Sequence, residues 1–596
     1  MKKFNLSLVL LLISVHIFSD SILLNPYNRK DVISLNGEWN VIIDPYSRGE
    51  VVDFYKNKKA VGKTDFIEYS FSNTFRLHVP GDFNSQLPEL KYYEGNVWYQ
   101  RTVKLNISNN KSQFLYFAGA NYFTRVWLNG AEIGSHEGGF LPFQFDITSL
   151  VKEGDNDIVV MVNNDRKKEN IPALNFDWWN YGGITRDVFL VQTPKSFIAD
   201  YKIQLKKGTN SILTGFVRLN GVQAAQKVEI KIPELKINKT LSTNDAGEVS
   251  FEIPAKPQLW NPENPKLYSV HFVFGNDTIV DDIGFRTIET KSSKVLLNGS
   301  PVFLKGVNFH EEISQRMGRA YSDSDAAQIL NEVKALGCNF IRTGHYPQNE
   351  RIVRMAEKMG LMIWEEIPIW QGIDFSNETV MKKAEIMFKD MITRDKNRAA
   401  IIIWSVANET KPSTDRNNFL FELVKLTREM DNSRLIGAAF DNTKYNKETS
   451  TFTLQDSLTQ ALDLIGINKY MGWYMPFPLA PGQLKWNIAV DKPLLISEFG
   501  GEAVFGQHGA SDVASSWSEE YQEKLYLDNI EMFKNIQNLC GVIPWVLFDF
   551  RSPTRLNYQN QNGWNRKGLV SDKGLRKKAW YVVKDYYNSK SLQYGN

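Results

Sequence analysis

Cysteines are scarce in this chain, and so is any excess of one charge. Only two of its 596 residues are cysteines, Cys338 and Cys540, and no Cys-x-x-Cys pair is present. A disulfide framework or a thiolate metal site needs several closely spaced cysteines, so we interpret both as small buried side chains. The 70 basic and 67 acidic residues leave a formal net charge of +3. Nucleic-acid binding requires a clustered basic surface, so we expect no nucleic-acid partner.

Long apolar runs are scarce as well, with one exception at the N-terminus. Lys2 and Lys3 precede an apolar run over residues 4–18, and Ser19 follows it. This order is typical of a secretory signal peptide, which we assign to residues 1–19. A retained membrane anchor is the alternative, although the run is shorter than the ~20 apolar residues of a spanning helix. We therefore expect a periplasmic or secreted protein with no stable membrane insertion after removal of the signal.

Aromatic residues, in contrast, are abundant. They make up 13% of the chain and include 15 tryptophans and 24 tyrosines. Flat rings pack well against the faces of sugar rings, which fits a protein that handles carbohydrates. Aromatic residues also favour β-strands, so a β-rich core is the simpler explanation for most of them.

The spacing of apolar residues changes along the chain and predicts three domains. Residues 20–197 contain short alternating runs separated by turns such as Asn129-Gly130, which predicts a β-sandwich. Residues 198–290 continue the alternation over a length that fits an immunoglobulin-like sandwich. Residues 291–596 alternate short apolar runs with amphipathic helical stretches, which predicts a (β/α)8 barrel.

Eight apolar runs in the third domain are candidates for the barrel strands. They cover residues 303–308, 340–343, 362–366, 401–408, 435–439, 464–468, 494–498 and 542–547. Residues 325–336 and 517–536 are helix-like segments between them. Active residues of such barrels lie at the C-terminal ends of the strands, so the residues that end these runs are candidates for function.

The fourth and the seventh of these runs each lead to a glutamate that we select as a candidate. The fourth run leads directly into Glu409, and the seventh ends in Glu498. A carboxylate at the end of a buried strand needs a compensating partner, or it has a function. Both of these strands end at the same barrel mouth. Retaining glycoside hydrolysis requires such a pair, in which one carboxylate attacks the sugar and the other carboxyl group handles the proton.

The neighbouring strand ends supply polar and aromatic partners for this pair. Arg342 ends the second run and is placed to hold a carboxylate ionised. His310 and His345 follow the first two runs and are candidates for hydrogen bonds to sugar hydroxyl groups, with a structural role as the alternative. Aromatic rings near the sixth and eighth runs can form the floor of a sugar subsite. These rings are Tyr470, Trp473, Tyr474 and Trp545.

Several segments resemble signatures of glycoside hydrolase family 2. In the barrel region these are residues 339–347 (Asn-Phe-Ile-Arg-Thr-Gly-His-Tyr-Pro), 404–409 (Trp-Ser-Val-Ala-Asn-Glu) and 496–500 (Ile-Ser-Glu-Phe-Gly). Upstream, residues 35–39, 79–81 and 127–130 resemble the sugar-binding sandwich of the family, and residues 284–286 resemble its link into the barrel. The resemblance implies a jelly-roll sandwich, an immunoglobulin-like sandwich and a TIM barrel.

The resemblance also implies roles for three residues of the barrel. Glu409 is expected to be the acid/base and Glu498 the nucleophile, while Asn408 is expected to contact the 2-hydroxyl group of the sugar. With these roles, like-charge coupling to an ionised Glu498 should raise the pKa of Glu409.

Three further segments resemble the β-glucuronidases of this family. Residues 177–186 resemble a loop that brings an aspartate, here Asp177, into the site. Residues 468–474, which begin with Asn468, resemble a segment that supplies two site tyrosines, here Tyr470 and Tyr474. Residues 565–567 resemble an element in which Asn565 and Lys567 bind the carboxylate of a uronic acid. A cation and a neutral donor suit that task, although a solvated basic turn is the alternative.

The sequence thus predicts an exo-acting β-glucuronidase, with a β-galactosidase or β-galacturonidase as alternatives. A carbohydrate-binding protein without catalysis is the alternative of another class, and the intact Glu409 and Glu498 argue against it. No His-Glu-x-x-His motif is present, so we predict no metal and no cofactor. Some β-galactosidases of the family use a divalent cation, which leaves a metal open. The expected partner is a carbohydrate or glycoconjugate, and a homo-oligomer is also left open.

Overall fold

The computed structural model describes residues 22–594, except residues 66, 73, 109 and 489. The predicted signal peptide at residues 1–19 lies outside the described residues. Two β-sandwiches precede a closed eight-stranded barrel, which confirms the predicted fold class. Within the described part of the chain, no helix has both the length and the apolar composition needed to cross a bilayer.

The first sandwich consists of a four-stranded and a six-stranded sheet. In spatial order, the four strands are Val32–Ser34, Val188–Pro194, Lys111–Phe117 and Phe143–Asp146. The six strands are Phe75–Val79, Gly37–Asp44, Asn96–Leu105, Gly154–Asn163, Phe123–Leu128 and Ala131–Glu137. Alternate side chains such as Trp39, Val97 and Val126 are fully buried between the sheets, and their removal from water holds the two layers together.

The second sandwich is smaller and is followed by a short connecting sheet. One layer contains Phe197–Leu205, Ile212–Asn220 and Glu248–Pro254. The other contains Ile237–Ser242, Lys227–Ile232, Leu267–Phe274 and Asp277–Gly284. The connecting sheet contains Ile288–Lys291, Lys294–Leu297 and Ser300–Pro301 and leads into the barrel.

The barrel strands are all parallel, and the last pairs with the first. They are β1 Leu304–Asn308, β2 Phe340–Arg342, β3 Met362–Glu366, β4 Ile401–Asn408, β5 Leu435–Phe440, β6 Leu464–Asn468, β7 Leu494–Glu498 and β8 Leu539–Val542. The predicted position of the eighth strand, residues 542–547, was wrong. Pro544 has no N–H for a strand ladder, and the buried residues that follow β8 are apolar because they pack over the barrel. Trp545 therefore lies in the loop after β8.

In the described part of the chain, six α-helices surround the barrel. They are Asp323–Ala335, Glu350–Lys358, Glu378–Asp395, Thr414–Met430, Glu519–Phe533 and Lys578–Tyr594. The helix-like segments predicted at residues 325–336 and 517–536 correspond to the first and fifth of these, with ends shifted by one to three residues. A shorter helix, Phe83–Gln86, belongs to the first sandwich. Short 3-10 helices are Pro26–Asn28, Phe54–Lys56, Pro88–Leu90, Pro233–Leu235, Ser457–Gln460, Pro481–Gln483 and Ala514–Ser516.

The connections after β5 and β6 contain no α-helix among the described residues. They form a small sheet of Lys444–Asn446, Thr451–Leu454 and Lys485–Ile488 beside the barrel mouth. Two hairpins complete the mouth, Glu312–Ile313 with Gly318–Arg319 and Phe550–Arg551 with Trp564–Asn565.

A buried ion pair fixes the first sandwich over the barrel mouth. Arg186 Nη2 lies 2.7 Å from Glu311 Oε2, and both side chains are 1% exposed. Arg186 also donates to the carbonyl oxygen of Pro347, 2.7 Å away. Because these barrel residues adjoin His310 and His345, the sandwich loop at residues 177–186 is held against the site.

Candidate active site

The ends of β4 and β7 bring Glu409 and Glu498 to the same barrel mouth. Glu409 follows β4 with φ of 53°, and this left-handed conformation turns the chain away from the strand. The end of β6 and the loop after it reach both glutamates. Asn468 Nδ2 donates to Glu409 Oε1 at 2.9 Å, and Tyr470 OH donates to Glu498 Oε2 at 2.6 Å. Two residues that are close in the chain therefore connect the two carboxyl groups.

Glu498 is buried beside a cation. Arg342 Nη1 donates to Glu498 Oε1 at 2.7 Å, and the Arg342 side chain is 0% exposed. Burial raises the pKa of Glu498 against the opposing effect of Arg342, and the nearby Glu409 raises it further. An anion at Glu498 is thus stabilised by a full positive charge and by the hydroxyl group of Tyr470.

Glu409 has only neutral donors in direct contact. Gln371 Nε2 donates to its Oε2 at 2.9 Å, while Asn468 occupies Oε1. Burial raises the pKa of Glu409, and the two amides oppose that rise. The direction agrees with the prediction. Burial is the largest cause and Asp441 adds to it, while the predicted like-charge coupling of the two glutamates raises the pKa of Glu498. Because Arg342 contacts Glu498 directly and Glu409 contacts only neutral amides, a negative charge is better stabilised on Glu498 than on Glu409.

Glu366, at the end of β3, was missed by the sequence reasoning. It accepts from Arg342 Nη2 at 2.9 Å, from Trp364 Nε1 at 2.9 Å and pairs with His345 Nδ1 at 2.9 Å. Although burial opposes it, Arg342 and His345 lower the pKa of Glu366 to about 2. The signal was present, because the third apolar run also ends in a glutamate.

Asn408 presents an unused hydrogen-bond donor to the site. Its Oδ1 accepts from Arg342 Nη2 at 2.7 Å and from Asn468 Nδ2 at 3.1 Å. Its Nδ2 is buried and has no partner among the described residues. A buried donor without a partner is costly, so a ligand oxygen is expected to complete it. The position suits the role in binding a sugar hydroxyl group that the resemblance implied.

His310, His345 and Trp545 form an aromatic wall next to Glu498. The ring of His345 stacks on Trp545 with centroids 4.8 Å apart, and its Nε2 lies 3.8 Å from Glu498 Oε1. His310 meets the edge of Trp545 at 5.4 Å, and its buried Nε2 has no partner within the described chain. Burial lowers the pKa of both histidines, so both rings are neutral and can bind hydroxyl groups.

Asp177 enters the mouth from the first sandwich and is surrounded by donors. Ser552 Oγ, Thr554 Oγ1 and Arg555 Nε donate to its Oδ1 at 2.5, 2.7 and 3.1 Å. Asn565 Nδ2 and Arg555 Nη2 donate to its Oδ2. Although burial opposes it, Arg555 and Lys567 hold the pKa of Asp177 below its usual value. Arg555 was missed because it lies in the long loop after β8, where no strand-end position marks it.

Lys567 and Arg555 meet at the hydroxyl group of Tyr474. Lys567 Nζ is 2.8 Å and Arg555 Nη1 is 3.2 Å from Tyr474 OH. Lys567 Nζ also lies 3.3 Å from Glu502 Oε1, another carboxylate that sequence reasoning missed. Lys567 is 1% exposed and Asn565 is 0% exposed, so the two residues do not form a solvated turn.

The predicted residues, together with Glu366, Arg555 and Glu502, thus form two adjoining clusters. The reaction centre contains Glu409, Glu498, Glu366, Asn408, Arg342, His310, His345, Asn468, Tyr470 and Trp545. The cation pocket contains Asp177, Arg555, Tyr474, Asn565, Lys567 and Glu502. The rings of Tyr470 and Tyr474 join the clusters, with centroids 5.2 Å apart. Trp473 packs against Trp517 at 5.3 Å. In the described residues, no group of His, Cys, Asp or Glu side chains is arranged to hold a metal ion.

Family comparisons assign all three parts of the chain consistently. The profile described as "Glycosyl hydrolases family 2, TIM barrel domain" matches residues 288–589. The profile described as "Glycosyl hydrolases family 2, sugar binding domain" matches residues 32–194. A third profile, "Glycosyl hydrolases family 2", matches residues 195–286 between them.

Individual relatives agree with these matches. A protein from Formosa agariphila with the provisional name of β-glucuronidase is 30% identical over 563 residues, which are 84% of this chain and 65% of that protein. The β-glucuronidase of Rattus norvegicus is 28% identical over 86% of this chain and 85% of its own length. The solved structure of Ruminococcus gnavus β-glucuronidase has a TM-score of 0.81 and 26% identity, and the match covers 95% of this chain and 99% of that one.

Proposed function

This chain belongs to glycosyl hydrolase family 2 and is a glycosidase, and we propose that it is an exo-acting, retaining β-glucuronidase. In this proposal Glu498 is the nucleophile and Glu409 is the acid/base. The cation pocket holds the carboxylate of the uronic acid, and the reaction centre acts on its anomeric carbon.

The donors that converge at Tyr474 carry the proposal. A phenol oxygen has two lone pairs, and Lys567 and Arg555 both donate to it. The proton of the Tyr474 hydroxyl group is therefore free to point into the pocket. Lys567 has three N–H donors and uses two, for Tyr474 and Glu502, so one remains. An O–H and an N–H that lie side by side without acceptors are suited to a carboxylate.

A neutral sugar satisfies this pocket less well. Galactose carries a hydroxymethyl group where a uronic acid carries a carboxylate, and it has no charge to pair with Lys567. The pocket's own carboxylates, Asp177 and Glu502, are both held ionised, because Lys567 and Arg555 hold their pKa values low against the effect of burial. They fix the cations in place and leave the remaining donors for the substrate.

The proposed reaction has two displacements at the anomeric carbon. Glu498 attacks this carbon and forms an ester bond, while the bond to the leaving oxygen breaks and that oxygen takes the proton of Glu409. Water then attacks the same carbon and gives its proton to Glu409, and the ester bond breaks to restore the Glu498 carboxylate. Asn408 Nδ2 supplies the donor for the 2-hydroxyl group throughout. Two inversions leave the product in the β configuration.

A panel of nitrophenyl β-glycosides tests the proposal. We expect turnover of the glucuronide to exceed that of the galacturonide, galactoside and mannoside, and proton NMR to show the β anomer as the first product. Faster turnover of the galacturonide than of the glucuronide would assign galacturonic acid as the sugar, and the assignment of the pocket to a uronate carboxylate would stand. A preference for the galactoside would contradict the pocket assignment. Saturable sugar binding without turnover of any glycoside would indicate a binding protein.

We also propose that the protein is exported. The apolar run at residues 4–18 and its two preceding lysines support a cleaved signal. N-terminal sequencing of protein from the periplasmic or culture fraction should begin near residue 20. Recovery of a chain that still begins at Met1 would contradict cleavage.

A further inference from the structure

The two oxygens of Glu409 are held by amides that differ in their freedom. Oε1 accepts from Asn468 Nδ2, and Oε2 accepts from Gln371 Nε2, both at 2.9 Å. Asn468 is buried at the end of β6, whereas Gln371 is exposed on the loop after β3. An acid/base residue must both give and take a proton, so the orientation of each amide matters for the reaction.

The orientation of the Asn468 amide is fixed by the positive charge of Arg342, which acts through Asn408. Arg342 can only donate, so the atom of Asn408 that faces it must be the acceptor Oδ1. Asn468 also contacts this Oδ1, at 3.1 Å, and must therefore present its Nδ2. Its own Oδ1 is occupied by the hydroxyl group of Ser497 at 2.7 Å. Asn468 can thus only donate to Glu409, and Oε1 faces a donor in every step.

The Gln371 amide has no such lock. Its backbone is fixed, because Gln371 N donates to the Asn408 carbonyl oxygen at 3.0 Å with φ of 47°. Its side chain makes one hydrogen bond in the described structure, from Nε2 to Glu409 Oε2. Rotation of the terminal amide by half a turn would present its oxygen to Oε2 instead. Gln371 can therefore donate to Oε2 when Glu409 is ionised and accept from Oε2 when it carries a proton.

We propose that Gln371 is a positioning residue whose reversible amide makes Oε2 the oxygen of Glu409 that gives and takes the proton. The inference rests on the proposed function, since it assumes that Glu409 is the acid/base. The observed donation from Gln371 Nε2 corresponds to the ionised form of Glu409. When Glu409 carries its proton on Oε2, the Gln371 amide is turned by half a turn, and its oxygen accepts a hydrogen bond from that proton until the leaving oxygen of the substrate takes its place. The leaving oxygen takes this proton as its bond to the anomeric carbon breaks, and Gln371 turns to donate to the new anion. The attacking water then returns a proton to Oε2.

Several charged or titratable groups surround Glu409 and also influence its pKa. Glu498 and Tyr470 face it from β7 and from the loop after β6, and Arg342 faces it from β2. Asp441, after β5, adds a negative charge. None of these groups touches Oε2 among the described contacts, whereas Gln371 does. A change at Gln371 therefore acts on this oxygen alone.

The test compares Gln371→Leu with wild type on two aryl uronides, one with a nitrophenyl and one with a phenyl leaving group. The phenyl substrate needs the proton, so its kcat/KM should fall roughly tenfold, the equivalent of one hydrogen bond to a charged group. The nitrophenyl substrate should fall much less. Loss of a donor to the anion should also move the alkaline limb of the pH profile to higher pH. Gln371→Glu, which can only accept when ionised, should move the limb further the same way.

Two controls separate the possible failures. Gln223→Leu, an exposed glutamine of the second sandwich, should leave both substrates and the pH profile unchanged. Glu409→Ala should spare the nitrophenyl substrate and cripple the phenyl one if Glu409 is the acid/base. Equal losses in Glu409→Ala, or no turnover by wild type, would overturn the proposed function and this inference together. The inference alone would be overturned by a different pattern. In that pattern Glu409→Ala spares the nitrophenyl substrate as expected, but Gln371→Leu lowers kcat/KM equally for both substrates and leaves the alkaline limb unchanged.

Discussion

The reaction centre and the cation pocket adjoin each other but are built in different ways. The reaction centre stands mainly on strand ends of one barrel, with Arg342 ending β2, Glu366 ending β3 and Glu498 ending β7. The pocket stands on loops from two domains, since Asp177 comes from the first sandwich and Lys567 from the loop after β8. The reaction centre is thus built on rigid strands, whereas the cation pocket is built on loops, which tolerate changes of sequence more easily.

The two regions also differ in what they lack. In the reaction centre, Glu366 and Glu498 contact a single cation, Arg342, and Glu409 lies within its electrostatic reach, so carboxyl groups outnumber cations there. The pocket balances Asp177 and Glu502 against Arg555 and Lys567 and retains hydrogen-bond donors without acceptors. One region therefore has an excess of carboxyl groups, and the other has an excess of hydrogen-bond donors. We therefore expect substitutions in the reaction centre to affect charged and neutral glycosides alike, and substitutions in the pocket to affect charged glycosides most.

The largest effect is expected from Glu498→Gln in the reaction centre. Among the residues that the structure describes, no other side chain within hydrogen-bond distance of the Tyr470 hydroxyl group can replace the attacking carboxylate. We expect kcat to fall by several powers of ten on charged and neutral glycosides alike, because attack on the anomeric carbon is common to both. Stopped assays with purified variant measure this loss. Glu448→Gln, at an exposed glutamate, is the matched control. Survival of more than a hundredth of wild-type kcat would remove Glu498 as nucleophile.

The different construction explains which parts the sequence could predict. The barrel and the pair Glu409 and Glu498 could be predicted because apolar runs mark strands, and a carboxylate at the end of such a run is conspicuous. Glu366 had the same mark and was overlooked. The position of β8 was wrong because burial over the barrel makes residues after the strand apolar too.

The pocket could be predicted only where a resemblance supplied the residues. Arg555 and Glu502 lie in loops with no periodic pattern, so nothing in the sequence shows that they meet Lys567. Gln371 contacts Glu409 from a loop whose left-handed backbone is set by a carbonyl group of β4. Contacts of this kind depend on the assembled structure and have no signal in composition or spacing.

The next largest effect is expected from Lys567→Ala in the pocket. Truncating one partner of a desolvated ion pair costs ~2–5 kcal/mol, which corresponds to roughly 30-fold to several-thousand-fold in kcat/KM. The glucuronide should lose activity on this scale, while residual activity on a neutral glycoside should change little. Lys573→Ala, at an exposed lysine nearby in the chain, should have no such effect. Equal losses on charged and neutral substrates would indicate a structural role for Lys567.

A smaller effect, and one that depends on pH, is expected from Glu366→Gln. Arg342 would lose its ionic contact with Glu366 and hold Glu498 less well, so kcat should fall by about 10- to 100-fold on all substrates. The pKa of Glu366 is lowered to about 2 in the folded protein, so its contribution to stability is present above its unfolded value of about 4.5. That contribution is lost as the pH falls from about 4.5 toward 2.

Melting temperatures of wild type and Glu366→Gln at pH 7 and at lower pH measure this contribution. We expect a clear difference at pH 7 that shrinks as the solution approaches pH 3. A difference that stays constant over this range would show that the ionised carboxylate of Glu366 does not stabilise the fold.

The smallest effect, and the one that sharpens the comparison most, is expected from Asn565→Ala. One N–H of Asn565 Nδ2 donates to Asp177 at 3.2 Å, and its Oδ1 accepts from the backbone of Lys567 at 3.1 Å. The second N–H of Nδ2 has no acceptor among the described contacts, and in our proposal it donates to the substrate carboxylate. A neutral hydrogen bond is worth about 0.5–1.5 kcal/mol, so kcat/KM for the glucuronide should fall about 2- to 10-fold. A neutral glycoside should lose less, since it lacks the carboxylate.

Asn565→Asp keeps the acceptor for Lys567 but places a second negative charge beside Asp177 and the uronate, so it should reduce glucuronide turnover more than Asn565→Ala does. If Asn565→Ala lowers both substrates equally, Asn565 serves only to hold Asp177, and the carboxylate is bound by Lys567, Tyr474 and Arg555 without it.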